Sequence, residues 1–156
     1  LVGSIITSKL YRLLVNEVTS YDRYQSGELK VIGLPGFEHT DCIVKEKLSY
    51  AEWIASCKKY AVTKVEGIEK TATIKKQFRL PTKDIHLFVA NKTSYSFKWH
   101  TDNINVFLFV VKGKKRIQIK NKTHILRPGQ GVIIPKGSLH KAFSQKGTWA
   151  LSVGFK

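Results

Sequence analysis

Cysteine is scarce. Cys42 and Cys57 are the only two, and they do not form a Cys-x-x-Cys pair. Two thiols cannot build a disulfide framework, so a reduced, cytoplasmic setting is expected, with a bridge between the two left open. Methionine is absent and the chain opens on Leu1, as expected either of a trimmed chain or of a piece of something longer. No apolar run approaches the roughly 20 residues that span a bilayer, which argues against a membrane helix. The opening Leu1-Val2-Gly3-Ser4-Ile5-Ile6 lacks a basic n-region, and Lys9 and Arg12 interrupt the apolar stretch, which argues against a signal peptide. Internal repeats and low-complexity segments are also missing, so no repeat architecture is expected. Acid is in short supply: 11 Asp+Glu stand against 27 Lys+Arg, a formal net charge of +16. From Lys98 onward there are 12 basic side chains and one acid, Asp102. Such a surface suits an anionic partner, whether nucleic acid, an acidic peptide or a small metabolite. The alternative is a lysine-rich surface that merely solvates the protein. A homodimer is compatible with this composition.

At 156 residues the chain fits one domain, with a helical or mixed part over 1–84 and a barrel over 85–156. Ile6, Leu10, Leu13, Leu14 and Val18 recur at helical spacing, with Lys9, Arg12, Asn16 and Glu17 facing away, which predicts a helix over 4–18. A short strand is expected at 29–32 before the Gly33, Pro35, Gly36 turn. Ser49-Tyr50-Ala51-Glu52 is a capping box for a helix over 50–60, with Trp53, Ile54 and Cys57 inward. Residues 62–78 are ambiguous: the alternation Thr71-Ala72-Thr73-Ile74 favours a strand, and an exposed loop over 70–76 is the alternative.

From Ile85 the pattern changes to short strands at 85–90, 106–111, 116–119, 123–126, 132–134, 140–143 and 149–155. Seven short strands punctuated by turns indicate a mainly β protein, with a jelly-roll barrel and the N-terminal helices packed outside.

His100-Thr101-Asp102 precedes the apolar run Val106–Val111. His-x-Asp offers two metal ligands on one side of an extended chain, and His140, after the Pro135-Lys136-Gly137 turn, is placed to add a third. Two histidines and a carboxylate form the facial set that holds iron(II) with positions left open. Alone, His-x-Asp occurs by chance. His39, His86 and His124 have no evident second carboxylate or thiolate and read as ordinary histidines.

Gly129, Pro135-Lys136-Gly137 and His140 together resemble the second conserved motif of the cupin superfamily. Phe97, His100, Asp102, Asn103, Val106-Phe107-Leu108 and then Gly113-Lys114-Lys115-Arg116 resemble the JmjC-type, cupin-like hydroxylases, especially their ribosomal-oxygenase branch. Ala150-Leu151-Ser152-Val153-Gly154-Phe155 is similar to the strand that closes that family's double-stranded β-helix. The resemblance covers about 85–155. It implies an iron(II)- and 2-oxoglutarate-dependent dioxygenase with His100, Asp102 and His140 as metal ligands. It further implies that Lys115 binds the distal carboxylate of 2-oxoglutarate, with Asn91 lining the same pocket and Ser152 and Tyr95 as lesser candidates. Lys114 and Arg116 should then point outward, since a one-residue slip would exchange the roles.

Retention of Asp102, where related halogenases carry a small residue, implies hydroxylation, or a follow-on such as demethylation or desaturation. The interval from Asp102 to His140 is shorter than in the ribosomal oxygenases, and Val110 stands where a Gln is common. These departures leave the family's own substrate class open, and the small size favours a peptide, amino acid or other small substrate. Two other functions compete: a metal-binding cupin acting without 2-oxoglutarate, as a small-molecule dioxygenase or isomerase, and a non-catalytic basic binding module.

Overall fold

The computed structural model describes residues 2–34, 42–45, 60–70, 82–95 and 97–156. The capping box at 49–52, its helix, the alternation at 71–74 and His39 lie outside the described residues.

Helix α1 spans Val2–Val18 and α2 spans Tyr21–Gln25. The helical spacing holds: Leu10, Leu14 and Val18 are buried, while Lys9, Arg12 and Asn16 are exposed. Eleven strands follow among the described residues: β1 (Lys30–Leu34), β2 (Cys42–Lys45), β3 (Val62–Glu66), β4 (Thr82–Ala90), β5 (Ser94–Tyr95), β6 (Asn105–Lys112), β7 (Lys115–Ile119), β8 (Lys122–Leu126), β9 (Gly131–Ile134), β10 (His140–Ser144) and β11 (Trp149–Phe155). They form a seven-stranded sheet, β2-β1-β3-β4-β11-β6-β9, and a four-stranded sheet, β5-β10-β7-β8. All their described pairings are antiparallel. This is the expected jelly-roll.

The two faces of the large sheet explain its sequence. On one face Ile85, Leu87, Val89, Val111, Leu151 and Val153 pack with Leu10, Leu14 and Val18, so α1 covers the outside of the barrel. On the other, Val106, Leu108, Val110, Ala150 and Ile134 meet Ile117 and Leu126 of the small sheet. The run Val106–Val111 is continuously apolar because both faces of β6 are covered, helix on one side and barrel interior on the other. Burying one such leucine contributes about 1.5–3 kcal/mol, so this two-sided packing is what fixes the positions of the neighbouring site residues.

The seven strands expected from Ile85 onward are present, most of them extended by a residue or two. The first strand runs on to Leu34 rather than stopping at Ile32, because Gly33 and Leu34 keep pairing with Thr63 and Val62 of β3, and Gly33 leaves room for the Tyr60 ring. The open stretch from Val62 resolves into strand β3. Its Lys64 and Glu66 look like a solvent face in the sequence, yet they pair with each other at 3.3 Å and Lys64 lines the interior. Among the described residues, no helix is long and apolar enough to cross a membrane.

Candidate metal centre

His100 and His140 face each other across an isolated antiparallel bridge. Each backbone N–H donates to the other's carbonyl, at 3.1 and 2.9 Å. The imidazole centroids are consequently 4.2 Å apart. The turn before His140 needs Gly137, whose φ of +80° suits a residue without Cβ. The Gly137 N–H donates to the Asp102 carbonyl at 3.0 Å, and the Lys136 N–H to Asn105 Oδ1 at 2.8 Å. The Pro-Lys-Gly turn therefore clamps the His100–Asp102 segment as well as delivering His140.

Each histidine has its Nδ1 against a carbonyl oxygen: His100 on Lys98 at 2.6 Å, and His140 on Ser138 at 2.8 Å. A carbonyl only accepts, so both Nδ1 atoms carry the proton and both Nε2 atoms are turned towards Asp102. This is how ligand histidines are held ready for a metal. His140 Nε2 lies 3.1 Å from Asp102 Oδ2, and His100 Nε2 lies 4.0 Å from Oδ1. Two ligands at right angles, each about 2.1 Å from one ion, stand about 3 Å apart. One ligand atom from each of His100, Asp102 and His140 lies within 4.8 Å of the others. Nitrogen, nitrogen and carboxylate oxygen at these separations can hold a metal ion.

The three side chains also tune one another. The hydrogen bond from His140 holds the Asp102 carboxyl below the usual carboxylate range. Burial works against this, and the charges of His140, His100 and Lys64 support it. Burial on its own would lower the His140 pKa. The Asp102 hydrogen bond, the Ser138 carbonyl and the Asp102 charge together outweigh it and leave the pKa raised.

The triad opens into a cavity of about 570 Å3 between the sheets. Ile104, Val106, Leu108, Ile117 and Ile134 form its apolar wall. Lys115 lines it as well and is only 2% exposed, with its ammonium 5.2 Å from the Phe88 ring centre. Burial alone pulls its pKa down to about 8. The register that points Lys115 inward comes from Thr148, whose hydroxyl accepts from the Lys114 N–H at 3.0 Å and donates to the Lys114 carbonyl at 2.9 Å. Arg116 is exposed and Lys114 half-buried, and neither lines the cavity.

Ser152 lines the cavity. Asn91 does not. Its amide donates to the Tyr60 carbonyl at 3.1 Å and to Thr63 Oγ1 at 2.9 Å, tying the end of β4 to β3. The Asn91 reading is corrected accordingly: a polar side chain at a strand end has been taken up by the adjacent loop. Tyr95 lies on the outer face of the small sheet, against Phe143 and Lys141.

The sequence reading missed Lys64, Asp84 and His86, all of which line the cavity. His86 was expected to lack a carboxylate, yet Glu66 Oε2 lies 3.7 Å from its Nε2. Burial, aided by Lys64, lowers the His86 pKa against the pull of Asp84, Glu66 and Glu69. The available signal was the alternation Asp84-x-His86-x-Phe88, which sets all three on one face of β4. Glu66 comes from β3, a strand the sequence left open.

The family described as AraC-like ligand binding domain matches residues 83–153. No curated protein matches the chain. Among solved structures, the ribosomal oxygenase YcfD from Escherichia coli superimposes with a TM-score of 0.65 at 18% identity, over 90% of this chain and 42% of that one. A second structure of the Escherichia coli enzyme gives 0.59 at 16% identity, over 85% and 42%. KdgF from Halomonas sp. gives 0.48 at 11% identity, over 60% and 79%. The fold is a cupin-type jelly-roll. At these identities the likeness concerns the fold alone, and the chain spans less than half the length of the ribosomal oxygenase.

Proposed function

We propose that this protein is an iron(II)- and 2-oxoglutarate-dependent oxygenase that hydroxylates a peptide, an amino acid or another small substrate. The observation that carries this reading is Lys115. It is a buried cation facing the same cavity as two histidines and a carboxylate, and among the described residues no carboxylate pairs with it. A buried ammonium without a counter-ion is costly. An acid with a carboxylate at each end of a short chain answers both needs, one end at Lys115 and a 2-oxo acid end at the metal. His100, Asp102 and His140 would hold the iron, which when bound supplies the oxygen chemistry.

The rest is the work of the protein's own side chains. Lys98 and Ser138 carbonyls keep both histidines in the ligand tautomer. Asp102 contributes the negative charge and occupies a ligand position itself, which favours hydroxylation over halogenation. The apolar wall packs against the hydrocarbon part of the substrate, and Lys64, Asp84, His86 and Ser152 give it polar contacts.

Anaerobic iron(II) titration with and without 2-oxoglutarate tests the reading through the weak visible charge-transfer band of the chelate. The wild type should show the band, and Lys115→Ala should weaken 2-oxoglutarate binding about a hundredfold, the scale of a charge-assisted contact. A folded, iron-loaded sample with no band sinks the proposal.

The AraC-like match favours a second reading, in which the cavity only binds a ligand. Under it, a ligand of the cavity binds with the same affinity whether or not iron(II) is present.

A further inference from the structure

We infer that the outer face of the four-stranded sheet is a docking surface for single-stranded RNA. Lys115, Ile117, His140 and Ala142 line the cavity, so alternate residues on β7 and β10 face away from it. Register then sets one row across all four strands: Tyr95 opposite Phe143, Phe143 opposite Arg116, and Arg116 opposite Ile125. Tyr95 and Phe143 meet edge to face with ring centres 4.8 Å apart. Arg116 lies 4.9 Å from the Phe143 ring centre, and the Lys141 ammonium 4.0 Å from that of Tyr95. Ile125 ends the row 47% exposed, and Tyr95 and Phe143 are half-buried.

This combination fits a base-stacking platform rather than a solvated β face. Rings and a guanidinium give bases something to stack on, and cations take the phosphates. Three strand spacings make the row roughly 15 Å long, enough for a few nucleotides. The neighbouring row, Lys141, Gln118 and Thr123, adds a cation and two neutral hydrogen-bonding groups, the latter suited to ribose hydroxyls. Charge complements the partner. Lys120 and Lys122 border one end of the sheet, and Lys114 and Lys146 the other. The only acid from residue 98 onward, Asp102, is committed to the metal centre. An acidic protein would meet the charges but would not stack on the rings.

The test is fluorescence anisotropy of a short, labelled, mixed-sequence single-stranded RNA titrated with the whole chain at several salt concentrations. Binding should weaken about tenfold in Phe143→Leu and in Tyr95→Leu, the scale of one lost stacking contact. Leucine keeps the apolar packing, and circular dichroism checks that each variant is folded. Lys141→Gln should lower the salt slope by about one. Duplex RNA, single-stranded DNA of the same sequence and poly-glutamate should each bind more weakly. The inference is overturned if any of the three binds as tightly, or if binding survives both leucine variants undiminished.

Discussion

Two residues of the candidate site make opposite contributions as pH changes. His140 and Asp102 form an ion pair in the metal-free protein, with the His140 pKa raised above its ordinary 6.5 and the Asp102 pKa lowered below 3.8. A raised histidine contributes stability that is fully present below 6.5 and is lost as pH climbs through the folded value. A lowered carboxylate contributes stability that is present above 3.8 and is lost as pH falls through the folded value. The pair should therefore stabilise the metal-free protein most between those two limits. Thermal melts across pH check this, and Asp102→Asn should flatten the profile there. Metal uptake should show the reverse trend at the upper edge, rising with pH as the His140 proton leaves. Lys115 behaves differently. Its pKa falls from 10.5 to about 8, so the unfolded chain holds this proton where the native protein has released it. Stability should rise between about 8 and 10.5. Lys115→Met should abolish that rise and stabilise the metal-free protein below it by up to about 3 kcal/mol, the free-energy equivalent of the shift. The same variant should lose 2-oxoglutarate. One substitution that gains stability and loses ligand is the signature of a site residue rather than a packing residue.

At the scale of elements, the turn between β6 and β7 decides whether Lys115 or a neighbour faces inward. Gly113 sits there at a φ of +86°, and an added Cβ would come within 2.5 Å of Thr148 Oγ1 and 2.6 Å of its Cα. Gly113→Ala should therefore cost about 1–3 kcal/mol from backbone strain alone, and the displaced turn should weaken 2-oxoglutarate binding together with stability in urea denaturation. The strands around this turn were legible because each has one apolar face and a turn at its end. β3 was not, since its Lys64 points into the cavity instead of solvent, and strand alternation does not say which side is wet. β5 is two residues long, too short for any period to register. Asn91 shows the same limit. Its position suggested a pocket, and only the tertiary structure shows that its amide is bound to Tyr60 and Thr63.

For the whole molecule, α1 acts as an external brace rather than part of the site. Leu14 is fully buried against the outer face of the large sheet. Leu14→Ala should cost about 2–5 kcal/mol, read as a lower melting temperature, with iron affinity of the folded protein unchanged. A concurrent loss of affinity would mean that the helix positions the metal ligands. By itself the sequence determined the class of fold, the helix face that meets the sheet and the three candidate ligands. Those properties are written in local periods, in turn glycines and in a His-x-Asp whose spacing is short enough to read. Only the tertiary structure decided that His100 and His140 share a backbone bridge and that Lys115 is buried with no carboxylate paired to it among the described residues. It alone set His86 beside Glu66 and Tyr95, Phe143, Arg116 and Ile125 in one outward row. Each of these depends on strand register between segments far apart in the chain, and register follows from the packing of both faces of a sheet at once.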